Sequence, residues 1–246
     1  MKVVAYYALH YGKEWLRWSM SSVRNYVDDI IIVYSAKPSH GHTTDVQCPD
    51  TEDELRAIAG DFQAIWYTAV DRFNWEGEHR DMAVQLCEDH GADIILVVDH
   101  DEVWEPDMLT TSIEYVRGST NKHYRVSMQH YYRSVGWVCH DSMKPVRFHN
   151  IKQGHRPEGY IPEEYGKVHH YGYAQSPKTV NYKWYIHGHL AELRPGWFKQ
   201  KFLGWEPGNC DVHPVVHGLW TPEWYNRQNM EYLIGDHPYF RMGIIE

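Results

Sequence analysis

The sequence has few cysteines and no long apolar segment. Its four cysteines lie far apart and form no Cys-x-x-Cys pair, so neither a zinc ribbon nor a small disulfide framework is predicted. The longest aliphatic run, residues 94–98, is far shorter than the ~20 residues of a membrane-spanning helix. The first residues lead straight into a strand-like segment and lack the three-part layout of a signal peptide. We therefore expect a protein without a membrane span that is located in the cytoplasm.

Positive charge and several enzyme motifs are also scarce. The chain carries 24 Lys and Arg against 33 Asp and Glu, a net charge of −9, so no overall attraction to nucleic acid is expected. A local basic groove is still compatible with this balance. The P-loop, serine-hydrolase and zincin motifs do not occur. A length of 246 residues with 43% hydrophobic residues fits one medium-sized globular domain or two small ones.

Histidine, tyrosine and tryptophan are abundant, with 18, 19 and 11 residues. Tyr and Trp combine an apolar face with a polar group, as sugar-binding clefts require, although the same residues fill protein cores. Two alternatives to the interpretation below follow from this composition. One is a carbohydrate-binding module without catalysis. The other is a His-rich metal-dependent hydrolase, built from residues of suitable type but no recognised spacing, namely His187, His189, His213 and His217.

Strand-like and helix-like segments alternate in the first half of the chain. Strands are predicted at residues 2–8, 29–34, 64–68 and 93–98, and helices at 13–27, from a capping box at Thr51, and at 78–90. Because crossover connections are right-handed, this order predicts a largely parallel sheet. The second half is more mixed. It has a helix from Pro106 to about Arg117, antiparallel strands at 122–132 and 144–149, a loop at 154–166, and helices that start at Ser176 and Thr221.

The segment Ile-Ile-Leu-Val-Val-Asp-His-Asp-Glu at residues 94–102 carries the strongest chemical signal. Its dense apolar run is typical of a strand buried on both faces, and ligands bind beyond the carboxyl ends of such strands. In an extended chain Asp99 and Asp101 point to one side, with His100 directed away. Mg2+ and Mn2+ commonly bind through one or two carboxylates plus substrate phosphates. The alternative is that the acidic residues only end the strand and cap the next helix.

These segments together resemble glycosyltransferases of the GT-A fold, and specifically family-2-like enzymes with an Asp-x-Asp (DXD) motif. The matching parts are residues 3–8, 30–35, 79–83 and 98–103, so the resemblance covers residues 1–110 well and the remainder only in outline. It implies a GT-A-like single α/β domain over residues 1–246. A Rossmann-like parallel nucleotide-binding half, 1–118, is followed by a mixed-sheet acceptor half, 119–246.

The resemblance also implies a metal-dependent transfer of sugar from a nucleoside-diphosphate-sugar donor, a UDP-sugar first of all, to a hydroxyl acceptor. Mn2+ or Mg2+ would join Asp101 to the diphosphate, with Asp99 near the ribose or the ion. In His-His-Tyr-Gly-Tyr, His170 looks like the C-terminal histidine that completes such metal sites, with His169 as the fallback. A saccharide is the favoured acceptor. A lipid-linked glycan, a protein and a modified nucleic-acid base are the other options.

The nucleotide-binding residues follow from the same resemblance. Arg80 would meet the nucleotide or its diphosphate, although a surface ion pair is an equal alternative. Ala8 and His10, in the loop after the first strand, would lie beneath the nucleobase. Tyr7 or Tyr11 would stack on it, unless these side chains belong to the core or the rim.

The sequence does not single out a catalytic base. An inverting transfer needs an Asp or Glu that deprotonates the acceptor hydroxyl, and a retaining transfer has no such fixed requirement. The candidates for the base are Glu158, Glu163 and Glu164 in the loop before His170, and Asp141 between two late strands. Asp101 is the other residue assigned to catalysis. The clear Glu-Asp pair of many inverting relatives is missing, which leaves the stereochemistry open.

Overall fold

The computed structural model describes residues 1–69 and 73–246. The strands are β1 Val3–Leu9, β2 Asp29–Tyr34, β3 Ile65–Thr68, β4 Ile94–Val97, β5 Glu102–Trp104, β6 Asn121–Arg125, β7 Ser127–Tyr132, β8 Trp137–His140, β9 Val146–Asn150, β10 Arg156–Tyr160, β11 Lys167–Tyr173 and β12 Glu223–Trp224. The α-helices are α1 Lys13–Arg24, α2 Glu52–Asp61, α3 Glu76–Asp89, α4 Pro106–Arg117, α5 Pro177–Tyr185 and α6 Glu231–Ile234. None of the helices in these described ranges is long and apolar enough to cross a membrane.

The first sheet has the strand order β10-β6-β9-β4-β1-β2-β3. Strands β1 to β4 are parallel to one another, and β9 joins β4 in antiparallel orientation. The predicted α/β class, with a Rossmann-like parallel part followed by mixed strands, is therefore confirmed. Strands from the second half of the chain continue the sheet beyond β4, so the sheet itself crosses the expected division at residue 118.

The second sheet, β12-β8-β7-β11-β5, explains how distant residues meet. Directly after β4 the chain turns, with the Glu102 amide donating to the Asp99 carbonyl at 3.0 Å, and then enters β5. Strand β5 runs antiparallel to β11, which places His170 opposite Glu102. The Tyr171 amide donates to the Asp101 carbonyl at 2.7 Å. One backbone ladder therefore joins the end of the parallel sheet to the His-His segment.

Local sequence signals account for several helix boundaries. Thr51 and Glu54 form the predicted capping box at the start of α2, and Pro106 occupies the first turn of α4. The Ser176 hydroxyl caps α5 by accepting from the Thr179 amide. Helix α1 begins after Gly12, whose φ of 136° is a conformation that favours glycine. Its buried face covers the sheet.

Three predictions about the second half are wrong. The helix predicted from Thr221 is absent, because residues 223–224 pair with β8 and the Tyr225 amide donates to the Gly136 carbonyl. The strand predicted at 122–132 is divided at Val126 between β6 and β7, which belong to different sheets. The loop predicted at 154–166 contains β10, an exposed edge strand parallel to β6.

Candidate active site

A cavity of about 740 Å³ opens at the carboxyl ends of β1 and β4. Its volume lies in the range of small-molecule and cofactor sites, ~300–1,000 Å³. Its walls come from the end of β1, the β4–β5 turn, the first turn of α3, the middle of β11 and the end of α5. Seven residues predicted for the nucleotide and metal site line it, namely Ala8, His10, Tyr11, Arg80, Asp99, Asp101 and His170.

Asp101 and His170 face each other across this cavity. The Asp101 Oδ1 atom lies 3.6 Å from His170 Nε2, and the other carboxylate oxygen accepts a hydrogen bond of 3.1 Å from the Gln175 amide. Lys183 Nζ lies 3.5 Å from Asp101 Oδ2. Burial alone would raise the pKa of Asp101, but His100, Lys183 and His170 together hold it well below its ordinary value. Asp101 is therefore a buried, ionised carboxylate at neutral pH.

Asp99 has different partners from Asp101, because the chain turns between them. Its Oδ1 accepts from Arg80 at 3.0 Å and its Oδ2 from Arg147 at 2.7 Å. Burial acts to raise the pKa of Asp99, and the two guanidinium charges outweigh it and hold the pKa well below the ordinary value. Arg147 also binds Glu102, and Arg80 also binds Glu76. Two arginines and three carboxyl groups thus form a continuous hydrogen-bonded network at the wall of the cavity.

His170 is a neutral imidazole in the cavity wall. Burial lowers its pKa to about 4, although the neighbouring Asp101 carboxylate opposes that shift. Its Nδ1 shares a hydrogen bond of 2.9 Å with Nδ1 of His130, so only one of these two atoms carries the proton. If His170 donates this proton, its Nε2 presents a lone pair toward Asp101. A neutral nitrogen and an ionised carboxylate are a suitable pair of ligands for a divalent cation.

Asp101 and His170, but not Asp99, are placed to bind a metal ion. Both Asp99 oxygens already accept from guanidinium groups, whereas Asp101 and His170 still face open space. His100 Nε2 is buried 3.6 Å from Asp101 Oδ2 and has no hydrogen-bond partner among the described residues, so a buried polar atom here is unsatisfied. Within residues 1–69 and 73–246, no group of three or more His, Cys, Asp or Glu side chains is arranged to hold a metal. The residues therefore fit an ion that takes two protein ligands and completes its shell with phosphate and water.

Other predicted residues lie outside the cavity. Tyr7 points to the opposite face of β1 from Ala8 and is buried, with its hydroxyl 3.1 Å from Ser19 Oγ. Glu158 pairs with Arg125 on an edge strand. Glu163 pairs with Lys167 at 3.4 Å. Neither these two glutamates nor Glu164 lines the cavity, and their role as a base stays a prediction from sequence.

Asp141 accepts a hydrogen bond from the Trp220 indole at 2.9 Å, and His169 is buried between Glu105 and Tyr131. Tyr11, the alternative to Tyr7, does line the cavity, with its ring centroid 4.9 Å from that of His100. The structure therefore brings His170, rather than its fallback His169, to Asp101. The aromatic candidate that reaches the cavity is Tyr11.

Several cavity residues have no signal in the sequence pattern. Lys183 comes from the end of α5, and Trp75 occupies the position before α3, with 58% of its surface exposed. His187, which follows α5 and also lines the cavity, is one of the histidines of the alternative His-rich hydrolase. Arg147 reaches Asp99 from strand β9. Glu102, the partner of Arg147, directly follows the Asp-x-Asp motif in the sequence. Its position beside a buried strand was the available signal that it is buried. The remaining contacts depend on strand order, which local periodicity does not encode.

Comparisons with known proteins give a fold likeness only. No protein-family model and no curated protein matches the chain. Among solved structures, Staphylococcus aureus TarS 1–349 matches at 11% identity and a TM-score of 0.39, over 53% of this chain and 36% of that one. A Mycobacterium tuberculosis glucosyl-3-phosphoglycerate synthase was solved with Mn2+, UDP and phosphoglyceric acid. It matches at 10% identity and a TM-score of 0.44, over 91% of this chain and 86% of that one. A protein described only as mycobacterial matches at 11% identity and a TM-score of 0.46, over 91% of this chain and 83% of that one.

The chain thus spans little more than a third of the length of the TarS structure. At these identities and TM-scores, the comparisons assign no activity to this protein.

Proposed function

We propose that this protein is a glycosyltransferase that moves a sugar from a nucleoside-diphosphate-sugar donor to a hydroxyl acceptor, with the help of Mn2+ or Mg2+. The observation that carries the proposal is the pairing of Asp101 with His170 in the cavity. An ionised carboxylate and a neutral imidazole, brought together from two parts of the chain, lie 3.6 Å apart at the carboxyl ends of parallel strands. That location is where open α/β sheets bind nucleotides.

The charges around this pair favour an anionic diphosphate. Arg80 and Lys183 both line the cavity, Arg80 beside Asp99 and Lys183 beside Asp101. Asp99 holds the Arg80 guanidinium in place through a 3.0 Å hydrogen bond. A planar guanidinium and an ammonium are the usual protein donors to phosphate oxygens. Ala8 near the end of β1 and His10 just after it would then contact the nucleoside, for which uridine is the first candidate.

The residues divide the proposed work between them. Asp101 and His170 would hold the cation, and Gln175 fixes the orientation of Asp101 through its amide. The bound ion would act as a Lewis acid that screens the charge of the departing diphosphate. Trp75, exposed at the rim, offers a flat apolar face of the type that sugars stack on, so a saccharide is the favoured acceptor.

The experiment that tests the proposal is donor turnover without an acceptor. A transferase should slowly hydrolyse its nucleotide sugar, because water can replace the acceptor hydroxyl. A panel of UDP-, GDP-, CMP- and dTDP-sugars is incubated with the protein and Mn2+, and free sugar and nucleotide are quantified. We expect turnover with one nucleotide class, abolished by Asp101→Asn. Glycan binding without turnover of any donor would instead favour a carbohydrate-binding module.

A further inference from the structure

Lys183 occupies an unusual position for a lysine. Its Nζ atom lies 3.5 Å from Asp101 Oδ2 and donates to the Gly172 carbonyl at 3.3 Å. It also lies 4.9 Å from the centroid of the Tyr173 ring. The side chain is mostly buried, yet it lines the cavity. The ammonium group is therefore close enough to Asp101 to repel a cation bound by that carboxylate.

The contact with Lys183 contributes to the charge balance around Asp101 in the ligand-free site. A buried carboxylate is unfavourable unless a positive charge or several hydrogen bonds compensate it. Arg80 and Arg147 are both engaged by Asp99. In the part of the chain that the structure describes, no other Lys or Arg forms an ion pair with Asp101. When no metal is bound, Lys183 therefore compensates Asp101 together with the His100 and His170 rings, each 3.6 Å from the carboxylate.

We propose that Lys183 exchanges partners during donor binding, from the Asp101 carboxylate to a phosphate oxygen of the nucleoside diphosphate. The inference rests on the proposed function and adds to it an exchange of partners by Lys183 that links binding of the metal to binding of the diphosphate. Lys183 would be repelled by a divalent cation held at Asp101, and its attraction to the Asp101 carboxylate would be weakened. The diphosphate brings negative charge into the same cavity. The flexible lysine stem carries an ammonium with three donors, so it can turn between the two anions.

This exchange has a consequence that a purely structural role would not produce. In the ligand-free protein Lys183 competes with the metal for Asp101, so its removal should strengthen binding of the metal alone. In the loaded protein Lys183 donates to the diphosphate, so its removal should weaken binding of the nucleotide. A lysine that only supports the fold would affect both affinities in the same direction.

The test uses isothermal titration calorimetry on the full chain with Lys183→Met. Mn2+ is titrated alone, and UDP is then titrated at saturating Mn2+. We expect Mn2+ alone to bind about tenfold more tightly, because a neighbouring positive charge has been removed. UDP should bind about tenfold more weakly, the loss typical of one hydrogen bond to a charged group. Unchanged or weaker Mn2+ binding, or unchanged UDP binding, would overturn the inference.

Three further variants keep the result interpretable. Lys183→Arg retains the charge and should stay within about threefold of the wild type in both titrations. Lys178→Met removes a lysine from the first turn of the same helix, whose Nζ donates to the Pro49 carbonyl at 3.4 Å, and should leave both affinities unchanged. Lys183→Gln, which keeps a donor for the Gly172 carbonyl, repeats the test if Lys183→Met does not fold.

The wild-type titrations separate the two proposals. If wild-type protein binds no nucleoside diphosphate in the presence of Mn2+, across UDP, GDP and CDP, the proposed function fails and the inference falls with it. If wild-type protein binds UDP with Mn2+ and Lys183→Met matches it in both titrations, only the inference about Lys183 fails.

Discussion

Glu102 should make the stability of this protein fall as the pH rises from about 4.5 to about 7. Its side chain is 0% exposed, and its Oε1 accepts from Arg147 Nε at 2.9 Å. Burial raises the pKa of Glu102 to about 7, although the charge of Arg147 opposes the shift. Arg147 is shared with Asp99, so its positive charge does not fully compensate Glu102.

The sign follows from proton uptake. Between pH 4.5 and 7 the folded protein keeps the Glu102 proton, whereas the unfolded chain has lost it. The stabilisation is therefore fully present below pH 4.5 and is lost as the pH rises through the folded pKa. A shift from 4.5 to about 7 corresponds to about 3 kcal/mol at 1.36 kcal/mol per pKa unit. The part that falls between pH 5 and pH 8 is about 2 kcal/mol.

Glu102→Gln removes this titration while keeping the size of the side chain and an oxygen for Arg147. Urea unfolding is measured for wild type and variant at pH 5, 6, 7 and 8. The unfolding free energy of the variant minus that of the wild type should rise by about 2 kcal/mol from pH 5 to pH 8. Glu163→Gln, a surface control paired with Lys167, should show no such trend. A difference for Glu102→Gln that is constant with pH would refute the reasoning, because Glu102 would then be ionised throughout.

Two further predictions concern residues around Asp101. His170→Ala should weaken metal-dependent UDP binding about 10–100-fold in calorimetry, by analogy with other metal-site perturbations. His169→Ala should weaken UDP binding much less and should instead lower the melting temperature, because buried His169 forms a 2.8 Å hydrogen bond with Glu105. Equal effects of the two variants on UDP binding would contradict the assignment of His170 as the metal ligand. Gly12→Ala should cost about 1–3 kcal/mol in urea unfolding, since Gly12 has φ 136° and its added Cβ would lie 2.2 Å from the His100 ring. If Gly12→Ala is as stable as the wild type, the close approach of Gly12 to the His100 ring is not required for stability.

Much of the first half of the fold could be predicted because its signals are local. The capping box at Thr51, the proline at position 106 and the apolar run at 94–97 each specify their own element. The helix predicted from Thr221 failed for the opposite reason. A Ser or Thr followed by Pro suits a helix start, but here the next residues pair with β8, a partner more than 80 positions away. Tertiary pairing overrode the local preference.

The candidate site was predictable only in part for the same reason. The buried strand predicts that Asp99 and Asp101 belong to the site. An extended chain would have directed both carboxylates toward one ion. The turn after β4 instead directs Asp99 to Arg80 and Arg147 and directs Asp101 to His170. The contribution of Arg147 depends on the insertion of β9 beside β4. Hydrophobic periodicity contains no information about which strand takes that position.

The most direct test of the account is whether a nucleoside diphosphate and a divalent cation stabilise the protein together. Melting temperatures are measured with UDP, GDP or CDP, each in Mn2+ and in EDTA, for wild type and for Asp101→Asn. The account predicts a large increase with one nucleotide in Mn2+, little in EDTA, and no metal-dependent increase in a folded Asp101→Asn protein. Stabilisation by nucleotide that is equal in Mn2+ and EDTA, or that Asp101→Asn retains in full, would contradict a cation held by Asp101.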